Sequence, residues 1–363
     1  MGLYVPTTGR DALQSAGLIS LIASFLFLAP LIVWYSYSER LASAGGLFAF
    51  VESAAGPHLA RIQAAFWILS YGLYLLYTIP YIVYDLLPDV IPGISPYQPA
   101  LQLMLALTIA SVVLLPRAFG FSVILGLAGV QVLVALALAV VLLSHLGVPP
   151  GSFLAHGNLP VLLQSSGNVS LLYICASLPL YLGGEVEGGG RTVRTGLLIA
   201  FATSATLVVL AAVPLAKASR RLVGADVPGV ALAQAISGRP LAVLVGLGVT
   251  ASVAGLVLAE FLALSRLLGT MLRKPATSLR LAMAVLFLVG NAAALINPRA
   301  VYADLLKPSL LALWISQVLV FIVYPRFVAR HRALLVGDIA LAVVASALMV
   351  FGLYSAAVSP SVS

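Results

Sequence analysis

Glu260 is the one carboxylate well inside an apolar run, in GLVLAEFLALSR. Ionisable groups inside membrane spans mark proton relays and ion or substrate paths. It precedes Arg266 by six residues, roughly 9 Å at 1.5 Å rise per residue, so a screened ion pair is the plainer reading. A second candidate is the stretch SLLYICASLPLYLGGEVEGGGRTVR, residues 170–194. Here Cys175, Ala176 and Ser177 are small, and Pro179 lacks the amide that would bond back to residue 175 of an α-helix. Gly183 and Gly184 follow, just before Glu185. A helix interrupted at membrane depth frees backbone groups for a substrate or ion; a simple proline kink is the alternative. The third candidate is a stripe of Tyr71, Tyr74, Tyr77, Tyr81 and Tyr84. Steps of three and four put these phenols on one side of a helix. Buried phenols require hydrogen-bond partners, so the stripe should face water or a polar seam. Tyr84 fits an interfacial aromatic belt; Tyr74, near mid-span, does not.

Metal and hydrolytic chemistry find no support. His58, His145, His156 and His331 fall in loops or at the ends of apolar runs, with no Cys or carboxylate at ligand spacing. No GxSxG, HExxH or P-loop pattern occurs. The sequence therefore leads us to expect no catalytic residue, no metal and no cofactor. Cys175 is the only cysteine, so no intrachain disulfide can form.

These residues must be positioned by membrane helices. Of 363 residues, 62% are hydrophobic and 8% charged, against ~45–50% and ~25% in soluble domains. A globule of this size cannot hide so much apolar surface. Apolar runs occupy about 15–37, 62–86, 99–115, 121–144, 169–187, 194–216, 241–266, 279–296, 304–325 and 333–356. Each suits a helix of ~20 residues across a bilayer, and none alternates as a barrel strand would. The gaps 38–61, 145–168 and 217–240 are long enough for short helices along the membrane surface. Small residues Gly248, Ser252, Gly255, Ala259 and Ala263 form a helix-packing seam. A formal charge of +8 would suggest nucleic acid in a soluble protein; here it is the Lys/Arg excess that orients membrane helices. Twelve of the nineteen basic residues lie in one set of loops, which that rule assigns to the cytoplasm. Ten spans then place both termini outside.

Three loop segments resemble those of the amino acid–polyamine–organocation transporter superfamily. SERLASAGGLFAFVESAAGP, residues 38–57, is similar to that family's first cytoplasmic loop, at Glu39, Gly45, Gly46, Phe48, Phe50, Val51 and Gly56. EVEGGGRTVRTG, residues 185–196, resembles the end of its broken sixth helix at Glu185, Val186, Arg191 and Val193. Gly189 and Arg194 stand where prolines are expected. SRLLGTMLRKP, residues 265–275, resembles the end of its eighth helix, with Leu272 replacing an alanine. The N-terminal MGLYVPTTGRDALQSAG is similar to the second half of the family's first helix, through Gly2, Leu3, Tyr4 and Val5. Met1 is then expected near mid-membrane depth, close to Cys175–Pro179.

The resemblance implies an all-α polytopic fold with about ten transmembrane helices plus an N-terminal half-helix. It implies inverted five-helix repeats, residues 1–168 and 169–330, followed by an extra helix in 331–363. It further implies a small-molecule substrate, an amino acid, held at mid-membrane between two broken helices. Gly2 and Leu3 would offer amides to its carboxylate, and carbonyls freed near Cys175, Ala176 and Ser177 would take its ammonium. Tyr74 matches a side-chain-selecting position. The small and aromatic pocket favours a neutral or apolar amino acid. Glu260 favours a proton over sodium as coupling ion, although Thr250 or Ser252 could serve sodium. The expectation is thus a secondary transporter of the cell membrane, in a lipid bilayer, working by alternating access as symporter or antiporter. The rival is a non-transporting membrane partner or sensor subunit that keeps the fold. A membrane-embedded transferase comes a distant third.

Overall fold

A computed structural model describes residues 13–219, 222 and 227–358. Gly2, Leu3 and the expected N-terminal half-helix with Met1 lie outside the described residues. Among those described, ten helices are long and apolar enough to cross a membrane. They are α1 (Ala16–Arg40), α2 (Pro57–Val90), α3 (Ser95–Leu114), α4 (Arg117–Leu146) and α5 (Leu159–Leu182). The rest are α6 (Gly189–Lys217), α7 (Arg239–Leu272), α8 (Thr277–Ile296), α9 (Pro298–His331) and α10 (Val336–Val358). Each lies on one of the apolar runs, and no strand occurs among the described residues. The chain is a multi-pass membrane protein. Helix α7, an unbroken α-helix of 34 residues, measures about 50 Å. It therefore projects beyond a hydrocarbon core of about 30 Å unless it tilts.

The fifth span departs most from expectation. It starts at Leu159 rather than 169, because the Asn158 side chain accepts the Val161 amide at 3.3 Å and caps a helix there. In the gap 145–168 the surface helix is replaced by a 3₁₀ turn, Pro150–Phe153, followed by the first turn of the span. The other two long gaps do carry short helices, Leu47–Ala55 and Pro228–Ser237.

Helices five apart in order are neighbours: α1 packs on α6, α2 on α7 and α3 on α8. That interval is how two five-helix repeats interlock. The small-residue seam of α7 meets α4 as expected, Gly248 against Val134 and Gly255 against Leu127. Close backbone approach is what such seams permit where lipid removes the hydrophobic drive between helices. The outward faces present Phe25, Leu125, Leu133 and Leu286 to lipid, each more than 60% exposed.

Candidate functional site

Two helices lose regular α geometry at mid-chain. In α5, Leu171–Leu182 winds as a 3₁₀ helix of 12 residues, where runs beyond three or four residues are uncommon. The expected interruption is thus a tightening rather than a break. The tightening changes which carbonyl is freed. With i→i−3 bonds, the amide missing at Pro179 would have served Ala176 rather than residue 175. In α2, Pro80 is followed by a π-helical turn, Tyr81–Leu86, a feature frequent at functional sites.

The tightened segment, the tyrosine stripe and Glu260 come together. Glu260 is fully buried, and neither carboxyl oxygen has a hydrogen-bond partner. It lies within electrostatic range of Tyr71, Tyr74 and Tyr77 of α2 and of Cys175 of α5. The Tyr71 hydroxyl stands beside that of Ser177, yet both oxygens are buried without a completed hydrogen bond. Four polar atoms from three helices therefore converge unsatisfied, where nearly all buried polar atoms in proteins find partners. Ala176 packs its methyl against the core beside them. The ion pair to Arg266 is not made, because that guanidinium bonds Glu185 at 2.6 Å instead.

The tyrosines extend as an aromatic chain. Ring centroids run from Tyr181 to Trp67 at 4.5 Å, Trp67 to Tyr71 at 4.3 Å, and Tyr71 to Tyr74 at 6.5 Å. They continue from Tyr74 to Tyr77 at 5.3 Å, Tyr77 to Tyr302 at 5.7 Å, and Tyr302 to Tyr81 at 5.1 Å. Tyr84 takes no place in this chain. Tyr181 and Tyr302 went unnoticed in the sequence because they come from other helices, and Trp67, which extends the stripe by a step of four on α2, because it is not a phenol.

The three superfamily-like segments meet at the arginine-rich end. Gly46, at φ +51°, faces the Tyr181 ring so closely that a Cβ would stand 2.5 Å from it. A Cβ on Gly183 would lie 2.9 Å from the Ser43 nitrogen, and one on Gly190 would strike the Ser38 carbonyl. Ion pairs join the segments: Glu185 to Arg266, and Glu39 to Arg194 at 3.2 Å. Arg117 lies 3.4 Å from Glu185. Burial works against the Glu185 carboxylate, but the hydrogen bond and charge of Arg266, with Arg117 and Arg280, hold it below its ordinary range.

The histidines bond locally: His145, His156 and His331 reach the carbonyls of Val141, Gly151 and Phe327. Among the described residues, no three His, Cys, Asp or Glu side chains group closely enough to hold a metal ion. A cavity of about 560 Å³ lies between α1, α4, α5, α6 and α7, and none of the candidate site residues lines it.

No family model matches this chain, and no curated protein matches it in sequence. Its fold is similar to that of a crystallised point variant of a manganese transporter from Eremococcus coleocola. The TM-score is 0.58 and the identity 15%, with 99% of this chain and 89% of that one covered. The same transporter in complex with an aromatic bis-isothiourea substituted compound gives a TM-score of 0.56 at 14% identity, covering 98% and 87%. At such identities the likeness speaks for the fold alone. The chain has an all-α, polytopic transporter fold of inverted five-helix repeats.

Proposed function

We propose that this chain is a secondary transporter of the cell membrane that moves neutral or apolar amino acids by alternating access, coupled to protons. The carrying observation is the convergence of unsatisfied Tyr71, Ser177 and Glu260 oxygens beside the 3₁₀ segment of α5. A substrate ammonium would take the Ala176 carbonyl and the hydroxyls of Ser177 and Tyr71. Its side chain would rest beside Tyr74, Cys175 and Ala176. Gly2 and Leu3 would supply amides to its carboxylate. Glu260, sealed and without a counterion, is costly as a charge, so its proton would come and go as the surroundings open and close. Membership of the amino acid–polyamine–organocation superfamily fits this reading, since the three resembling segments touch one another at one end.

A manganese-type ion is the second reading. It has the Cys175 thiol within range of the Glu260 carboxylate in its favour, but two such ligands make an incomplete site. A thermal-shift screen of the purified protein against twenty amino acids and manganese, at two pH values, separates these readings. Ligands stabilise by mass action. Stabilisation by neutral amino acids supports the proposal, and stabilisation by manganese alone replaces it. A flat screen favours the non-transporting rival.

A further inference from the structure

The arginine-rich end carries more positive charge than its own carboxylates balance. Glu185 is shared by Arg266 at 2.6 Å and Arg117 at 3.4 Å, with Arg280 also within electrostatic range. Three guanidiniums thus face one carboxylate. Arg266 is 4% exposed, and its Nε and Nη1 have no hydrogen-bond partner. Arg280 is 8% exposed and donates to the Val113 carbonyl at 3.3 Å. Arg117 opens α4, whose N-terminus has no side-chain cap, so the positive end of a 30-residue helix points the same way.

The ground behind these charges is apolar. A cleft between α3, α4, α7 and α8 is lined by Val112, Val113, Ile124, Leu258, Arg117 and Arg280. Its cavity of about 10 Å³ admits no more than a water, so an anion must stand at the mouth, where the Arg117 side chain is 48% exposed. On the adjoining surface Leu114, Leu115 and Phe119 are each more than 40% exposed. Charge beside an exposed apolar face suits a phosphate that carries acyl chains. Basic pockets between transmembrane helices take phosphate headgroups in this way, and guanidiniums bind phosphate in bidentate fashion.

We propose that Arg117, Arg266 and Arg280 form a binding site for the phosphate of an anionic lipid. The lipid's chains lie along the outer face of α3 and α4, and its headgroup supplies the charge that Glu185 leaves unmet.

Native mass spectrometry and thermal shift on the delipidated full chain test this, with phosphatidylglycerol, phosphatidylcholine and inorganic phosphate as probes. Phosphatidylglycerol should bind and raise Tm, while phosphatidylcholine should not. Arg117→Gln and Arg280→Gln should each weaken phosphatidylglycerol binding about tenfold, as expected from losing ~1.4 kcal/mol. Arg299→Gln, at the other end of the bundle, should leave it unchanged. Arg117 is half exposed, so its variant should keep its lipid-free Tm and remain interpretable if Arg280→Gln misfolds. Equal binding by Arg117→Gln and the unaltered chain would overturn the site. Stabilisation by inorganic phosphate without phosphatidylglycerol would overturn the lipid as its source.

Discussion

Glu260 and Tyr74 carry the sharpest consequences at the scale of single residues. A buried carboxyl with both oxygens unpartnered either takes up a proton or awaits a cation, and in either case its charge is tied to the state of the site. Glu260→Gln keeps the shape and removes the titration. The variant should lose the pH dependence of uptake while substrate binding stays measurable by thermal shift; unchanged pH dependence would leave Glu260 a structural group. Tyr74→Ala should weaken substrate binding about tenfold, and Tyr84→Ala hardly at all, because only Tyr74 joins the aromatic chain beside Glu260. Equal losses would reduce the stripe to packing. Both residues stood out in the sequence through type and spacing alone. The partnership of Arg266 did not, since Glu185 is 81 positions away and competes with the nearer Glu260 only once the chain has folded.

At the scale of elements, the spans were legible because the bilayer demands about 20 apolar residues in a row. The start of α5 was hidden by the same rule. Gln164, Ser165, Ser166 and Asn168 read as loop, yet Ser165, Ser166 and Ser170 are buried inside the bundle, facing helices rather than lipid. A repeat boundary at 168/169 would fall inside this helix, and we propose a division before Leu159 instead. The 3₁₀ and π turns were equally invisible, since a shift in hydrogen-bond register leaves composition untouched; only Pro179 hinted at the first of them. Pro179→Ala restores an amide to the segment and should lower substrate affinity while Tm holds or rises. A fall in Tm with unchanged affinity would contradict a role for the freed carbonyl. Gly46→Ala should cost about 1–3 kcal/mol, the range for a side chain held in a sparsely populated backbone region. The Tyr181 ring adds to that cost, and chemical denaturation would measure it.

At the scale of the whole molecule, one end is closed by glycine contacts and ion pairs while the candidate site sits deeper in the bundle. The pairs at the closed end have a defined pH response. The folded-state pKa of Glu185 is lowered, so its contribution is complete above the unfolded value of about 4.3 and is lost as pH falls through the folded value. The closure therefore holds at neutrality, and any proton dependence near neutral pH belongs to another group. Glu185→Gln leaves Arg266 buried and unpaired, which should cost about 3 kcal/mol and lower Tm at pH 7, the loss shrinking as pH falls through the folded value of Glu185. A loss of equal size across the whole acid range would mean that packing rather than charge is at stake. The meeting of the three loop segments was not read from the sequence, nor was the pairing of Arg194 with Glu39, since an arginine there replaces the proline that the resemblance leads one to expect.

We propose that this molecule moves an amino acid together with a proton. Purified protein in liposomes, given a radiolabelled neutral amino acid and an imposed pH gradient, tests it directly. Accumulation should follow the gradient, collapse with a protonophore and be lost when Ser177 and Tyr71 are replaced together by Ala and Phe. Folded protein that moves none of the neutral amino acids under any gradient, or that moves only manganese, would contradict it.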